Sequence, residues 1–336
     1  MDYELICIYH HRRAVGCMDG FCSAWVVHQT FPTKKIHYIP MEYGDLPPDA
    51  EGLPVLVVDL AFKAEVLLDL AKTAKAVIVL DHETSFREEY LGFLDAYTVA
   101  STDRSIDPFD TLLEVAATTQ SHQPVATHIS ETYTGCELTW KFFHGDQTMP
   151  YLVKYIGDSD NWRFLYPKTK AITQRLTIEP YDFHAWDAVE YVLKMEENSK
   201  LTGPILKGFA IQGDLILHVR NKMMTDLISN TFRLVTIEDY TVPVMNCPPQ
   251  LTSDILSLFV RDYPFAVAWY RTKEGYEVSF RSTGEVDVGK IAKTLGGGGR
   301  ESTAGALIKD SDVPYSELLS RILGFQLPLS SADELW

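Results

Sequence analysis

Imidazole, thiol and carboxylate side chains recur in the first half of the chain, each just after a short apolar run. His10 and His11 follow Leu5 to Tyr9 (LICIY), and Cys17-Met18-Asp19-Gly20 comes soon after. Asp59 closes VLVV, and Asp81-His82-Glu83 closes VIVL. Asp158 and Asp160 stand further on, in Gly157-Asp158-Ser159-Asp160-Asn161-Trp162. Imidazole with carboxylate is a hard-to-borderline ligand set that suits Mn2+ and also accommodates Zn2+ or Fe2+. Two ions that share a carboxylate activate a water and neutralise a phosphate together. Taken singly, each residue has a plainer role. Asp59 fits a helix cap, His82 a satisfied buried histidine, and His10 to Arg13 a solvated loop. Cys17 and Cys22 fit small core residues, and Asp158 and Asp160 a helix end. The joint pattern favours metal ligation.

A second candidate lies near the C-terminus, in Gly296-Gly297-Gly298-Gly299-Arg300. Consecutive glycines let main-chain N–H groups close around an anion. A guanidinium at once after them can hold phosphate oxygens in bidentate fashion. The plainer alternative is a flexible turn.

The elements that must position these groups follow from the apolar pattern. Leu5 to Tyr9, Val55 to Asp59 and Val77 to Leu80 read as buried strands, with helix-like segments from Gly20 to His28 and from Lys63 to Ala74. Strands alternating with helices predict a parallel sheet with helices on both faces, and ligands gather at the carboxyl ends of such strands. The stretch from Phe93 to about Thr132 reads as a partly irregular insertion with a short helix near Thr111 to Ala117. Helical periodicity returns at Gly135 to Phe143 and Pro150 to Ile156, and again at Ala185 to Glu196 and Ile205 to Phe232. Beyond these, strands are expected at Arg233 to Ile237, Ala266 to Arg271 and Glu277 to Arg281, with helices near Ser253 to Val260 and Val288 to Leu295. The fold class is therefore α/β. An N-terminal parallel-sheet domain (1–185) precedes a helical connector (186–232) and a smaller mixed α/β domain (233–330).

A chain of 336 residues accommodates two domains. Its formal net charge of −16 argues against a broad basic face for duplex nucleic acid, while leaving room for a small phosphorylated substrate in one local pocket. Five cysteines with no CxxC pair argue against a disulfide framework and a four-thiolate zinc knot. The N-terminus Met1-Asp2-Tyr3-Glu4 lacks a basic segment followed by an apolar core, and no apolar run approaches the ~18 residues of a membrane span. A cytoplasmic protein is expected.

The ordered set resembles the DHH phosphoesterases that carry a C-terminal DHHA1 domain. The first motif runs from Tyr9-His10 to Cys17-Met18-Asp19-Gly20-Phe21-Cys22-Ser23-Ala24-Trp25, similar to a branch with Cys where most members have Asp. Val57-Val58-Asp59, Val79-Leu80-Asp81-His82-Glu83-Thr84 and Asp158-Ser159-Asp160-Asn161-Trp162-Arg163 follow in the family's order. The DHHA1 signature corresponds to Ser279-Phe280-Arg281-Ser282, Asp287-Val288, the glycine run and Ala304-Gly305. The resemblance implies that His10, Cys17 and Asp59 bind one metal, and that Asp19, Asp59, His82 and Asp158 bind the other. Asp59 would bridge and Asp81 would orient the site, so that Asp59, Asp81, His82 and Glu83 form the catalytic set.

The same resemblance gives Arg281, Gly297, Gly298, Gly299 and Arg300 the substrate phosphate, in a cleft that closes over a short oligonucleotide or a dinucleotide. The implied activity is a two-metal phosphodiesterase, Mn2+-dependent with Mg2+, Fe2+ or Zn2+ as alternatives. It would release nucleoside monophosphates from short oligonucleotides or from linear or cyclic dinucleotides. Glu83 replaces the family's second histidine, and Arg300 the histidine that ends the glycine run. Six residues separate His10 from Cys17, so His11 is an alternative ligand. These departures support a second expectation, a catalytically weakened nucleotide-binding or replication-associated scaffold.

Overall fold

The computed structural model describes residues 3–12, 16–100, 106–118, 124–198, 208–237 and 239–309. They fall into two compact units, Met1–Leu217 and His218–Trp336.

In the first unit the strands are β1 (Leu5–His10), β2 (Ile36–Met41), β3 (Val55–Val58), β4 (Val77–Asp81), β5 (Leu94–Asp95) and β6 (Val125–Ile129). They form one sheet in the order β2-β1-β3-β4-β6-β5, with every pairing parallel. Its helices are α1 (Met18–Thr30), α2 (Ala64–Leu70), α3 (Pro108–Thr118), α4 (Gly135–His144), α5 (Tyr151–Asp160), α6 (Thr169–Leu176) and α7 (Phe183–Asn198). The boundary between the units falls inside α8 (Gly208–Thr231).

Alternate strand residues serve opposite faces. Leu5, Cys7, Leu56, Val58, Ile78 and Leu80 pack with α1, α4, α5 and α7, while Ile6, Ile8, Val55, Val57, Val77 and Val79 pack on the other side with Leu67 and Leu70 of α2. Burial on both faces explains why the central strands read as unbroken apolar runs. Fully burying each such side chain stabilises the fold by about 1.5–3 kcal/mol. The register places His10, Asp59 and His82 at the same sheet end, because parallel strands all finish on one edge. α1 is held over this edge from behind, where the Trp25 indole donates to Asp187 at 2.8 Å and Phe21 packs edge-on against Trp186.

In the stretch from Phe93 to Thr132 the expected short helix is present as α3, but two strands, β5 and β6, depart from the expectation of a partly irregular insertion, and β6 pairs with β4 from Val77↔Val125 to Asp81↔Ile129. Thr127 and His128 break up its apolar run and hid the strand. The edge strand β2 was hidden in the same way by alternating polar residues and by Pro40, which an edge position tolerates.

The second unit holds β7 (Arg233–Ile237), β8 (Tyr240–Asn246), β9 (Phe265–Arg271), β10 (Gly275–Ser282), β11 (Gly298–Gly299) and β12 (Thr303–Lys309), with helices α9 (Pro249–Phe259) and α10 (Val288–Thr294). The sheet order is β11-β12-β10-β9-β8-β7, with β8 and β9 parallel and the other pairs antiparallel. α10 covers one face through Val288 and Ile291, and α9 the other through Leu251, Ile255 and Leu256. Among the described residues no helix is long and apolar enough to cross a membrane.

One contact ties α1 to the end of β1. A Cβ on Gly20 would run into the carbonyl oxygen of His10, far inside contact distance. Gly20→Ala should therefore destabilise the protein by about 1–3 kcal/mol in urea titration, the usual cost of overpacking. Gly92→Ala, where a Cβ meets open space, should stay within about 0.5 kcal/mol of the parent. Equal midpoints for the two variants would contradict this account of the α1 start.

Candidate metal centre

Asp59 is the middle of the site. It follows β3 in a left-handed backbone conformation, with φ of 56°, and its N–H donates to the Leu80 carbonyl at 2.9 Å. A non-glycine residue there is strained, and such strain collects at functional positions. The bend turns the Asp59 carboxylate over the sheet end. Its approach to α4 requires Gly135, because a Cβ there would lie 2.5 Å from the Asp59 Cβ.

Around Asp59 the sequence-predicted groups converge. Oδ2 lies 3.6 Å from His10 Nδ1 and 3.5 Å from Cys17 Sγ. Oδ1 lies 3.2 Å from His82 Nε2. The same His82 nitrogen is 3.8 Å from Asp19 Oδ2 and 3.7 Å from Asp160 Oδ2. Two donor sets result, His10–Cys17–Asp59 and Asp19–Asp59–His82, and the ligand atoms within each lie within 4.8 Å of one another.

Each member is placed by its local structure. Cys17 caps α1, its sulfur accepting the Gly20 N–H at 3.4 Å. Asp19 is buried and accepts the N–H groups of Gly135 at 2.7 Å and Cys136 at 2.9 Å, at the N-terminus of α4. The helix dipole favours a negative charge at that position. Asp81 is buried, and its Oδ1 accepts the His82 backbone N–H at 2.7 Å, which anchors the backbone that carries His82. His11 points elsewhere, with its ring edge-on between Tyr9 and Tyr181, and burial, then His10, lowers its pKa. The structure thus brings His10 to the cluster and leaves His11 out.

Asp158 does not join the cluster, contrary to expectation. Its carboxylate accepts from Leu165 N at 2.9 Å, from Tyr166 N at 3.3 Å and from the Thr169 hydroxyl, and so ties down the loop after α5. Asp160, two residues on, is the acid that faces His82. The loop is braced further by Arg163, which pairs with Glu137 at 2.5 Å, while Glu137 also accepts the Thr134 N–H at 3.1 Å. Thr134-Gly135-Cys136-Glu137 has the spacing of a capping box, the signal that could have disclosed the α4 N-terminus as part of the site. Glu83 belongs to neither donor set, and its carboxylate caps a short 3-10 turn through Ser85 N at 3.4 Å.

The electrostatics are those of a site with surplus negative charge. Burial, then the charges of Asp59 and Asp160, raises the Asp19 pKa. Burial and Asp59 push Asp160 up to about 6. Burial, then Asp59 and Asp19, raises the Cys17 thiol. For Asp59, burial is outweighed by the hydrogen bonds of His10 and His82, and its pKa falls. Burial opposes protonation of His82, but the hydrogen bond and charge of Asp59, joined by Asp19 and Asp160, win and push it up to about 10. Protons hold the converging acids together, and divalent cations suit the same donors. The residues therefore fit two metals sharing Asp59.

In the second unit the glycine run is not an open loop. Gly296 N and Gly297 N donate to Lys293 and Ala292 carbonyls and end α10, and Gly298 and Gly299 pair with Gly305 and Ala304. A Cβ on Gly297 would strike the Gly305 carbonyl. Arg300 N donates to Thr303 O at 2.7 Å to close the hairpin, and Thr303 is the register partner of Arg281. The Arg281 guanidinium donates to the Phe280 carbonyl and to Ser253 Oγ, both at 3.1 Å.

Comparison with known proteins adds the following. The family model for the DHHA1 domain matches residues 253–323. An uncharacterized protein of Acanthamoeba polyphaga mimivirus is 24% identical over 332 residues, covering 90% of this chain and 67% of that protein. A pGpG-specific phosphodiesterase from Vibrio cholerae is similar in structure at 11% identity and a TM-score of 0.44, covering 96% of this chain and 99% of that one. RecJ from Thermus thermophilus in complex with Mn2+ is similar at 12% identity and a TM-score of 0.46, covering 91% of this chain and 50% of that one. The matched DHHA1 segment follows, along the chain, a parallel sheet whose fourth strand, β4, ends at Asp81.

Proposed function

We propose that the protein is a divalent-cation-dependent phosphodiesterase acting on short oligonucleotides or linear or cyclic dinucleotides, which it cleaves to nucleoside monophosphates. The observation that carries this reading is the pair of donor sets joined by the two oxygens of Asp59. His10, Cys17 and Asp59 would hold one cation, and Asp19, Asp59 and His82, with Asp160 beside them, the other. Bound there, two cations supply charge for the phosphate and activation of water. Asp59 would be shared by the two sites, Asp19 is immobilised by the α4 N-terminus, and Asp81 anchors the backbone of His82. Manganese or magnesium suits the carboxylate-rich set. In the second unit Arg281 and Arg300 are the groups suited to bind substrate phosphate. The acidic chain favours small substrates over long duplexes.

The direct test is hydrolysis of bis-p-nitrophenyl phosphate and of dinucleotides with added Mn2+. The parent should turn over both, and Asp59→Ala should lose at least ~10²-fold in kcat because both sites share that ligand. Tight nucleotide binding with no hydrolysis under any divalent cation would favour a binding scaffold instead.

The two acids of the α5 terminus should separate cleanly. Asp160→Asn should lower kcat by at least ~10-fold with little change in the unfolding midpoint. Asp158→Asn should cost about 1.5–3 kcal/mol of stability, the worth of hydrogen bonds to a charged group, and leave kcat of the folded protein near the parent. The opposite outcome would return the ligand role to Asp158.

Cation uptake should release protons. Without a cation His82 carries its proton at neutral pH, since its pKa lies at about 10, and a ligating imidazole nitrogen must give it up. Affinity for Mn2+ should therefore rise by up to about tenfold per pH unit between pH 6 and 8 for each proton released. Calorimetry at pH 7 in buffers of different ionisation enthalpy counts those protons, and a buffer-independent heat would refute the coupling.

A further inference from the structure

The two donor sets around Asp59 are chemically unlike. One offers an imidazole, a sulfur and a carboxylate oxygen, from His10, Cys17 and Asp59. The other offers an imidazole and two carboxylates, from His82, Asp19 and Asp59, and has a third carboxylate, Asp160, 3.7 Å from His82 Nε2. Building on the proposed two-cation centre, we infer that these sites select different metals. The Cys17 site takes a borderline-soft ion, Zn2+, and the Asp19 site takes a hard ion, Mn2+ or Mg2+.

Three observations carry the inference. The Cys17 sulfur is fixed, not swinging, because it caps α1 through Gly20 N at 3.4 Å while lying 3.5 Å from Asp59 Oδ2. Thiolate and imidazole together select Zn2+ over Mg2+ or Mn2+, whereas carboxylate-rich sets suit Mg2+ and Mn2+. Asp59 presents different oxygens to the two sides, Oδ2 to His10 and Cys17 and Oδ1 to His82. One bridging residue can therefore serve two unlike ions without adding a soft donor to the hard site. Ligation converts the Cys17 thiol to a thiolate, and its proton passes to solvent. The Cys22 and Cys136 thiols are fully buried in the core and belong to neither donor set.

The test uses the full chain stripped of metal, then dialysed against Mn2+ in roughly 10³-fold excess over Zn2+, because zinc outcompetes manganese at most nitrogen, oxygen and sulfur sites at equal concentration, with bound metal counted by mass spectrometry. The expected result is one zinc and one manganese per chain. Cys17→Ser keeps a good helix cap and removes the soft donor. It should retain the manganese and lose zinc affinity by at least ~10²-fold, beyond the roughly 10–100-fold that loss of an outer-shell partner brings. Cobalt gives a readout independent of turnover. The parent should show a thiolate-to-cobalt charge-transfer band for one of two bound ions, and Cys17→Ser should bind cobalt at the remaining site without it.

Loading of both parent sites with one kind of ion, absence of the band, or its persistence in Cys17→Ser would each overturn the inference. If the parent still hydrolysed phosphodiesters, only the metal assignment would fall. A parent that bound no divalent ion at all would overturn the phosphodiesterase reading along with it.

Discussion

Crowding of negative charge around one strained residue is the constraint from which the rest of the first unit follows. Asp19 and Asp59 are buried, and together with Asp160 they face one imidazole. Buried carboxylates at such separations repel strongly and are tolerated only with compensation. The chain supplies some of it: the α4 N-terminus for Asp19, and His10 and His82 for Asp59. The remainder is met by protons, or by cations when these are bound. A left-handed backbone at Asp59 and glycine at position 135 are local costs that an ordinary strand end would not carry.

That constraint also explains the support behind the site. The polar end of the sheet can be strained because the layers beneath it are not. Central strands buried on both faces and α1 held between β1 and α7 give a rigid base. Short polar braces then fix the segments around the cluster: Asp81 to the His82 backbone, Cys17 to Gly20, Asp158 to the loop after α5, Glu137 to Arg163. Sites need donors held to fractions of an ångström, which packing alone rarely provides.

Much of this cluster was legible in the sequence because the fold signal and the candidate site coincide. In a parallel sheet the strand ends are both where apolar runs stop and where ligands collect, so His10, Asp59 and His82 declared themselves by position. Asp19 and Cys17 were readable because Gly20 marks the turn into α1. Asp158 and Asp160 were not separable, since residues two apart on a helix point in different directions and composition gives no preference between them. Only the occupied carboxylate of Asp158 decides it. β6 escaped notice because Thr127 and His128 interrupt it, although its pairing with β4 makes it integral to the sheet. The different placement of His10, beside Asp59, and of His11, with its ring between Tyr9 and Tyr181, is likewise a matter of packing.

The glycine run shows how one composition can serve a different physical end from the one it suggests. Four glycines can free backbone N–H groups for an anion, yet the N–H groups of Gly296 and Gly297 are spent on ending α10. The absence of side chains is used for close approach, where Gly297 and Gly299 pass the backbone and side chains of β12 with no room for a Cβ. An anion held in this unit, as proposed, would then lean on side-chain charge more than on bare backbone, which gives Arg281 and Arg300 greater weight than the glycines between them in sequence. In a chain of net charge −16, a phosphate finds few favourable places. Local guanidinium groups and metal cations are what could overcome the repulsion.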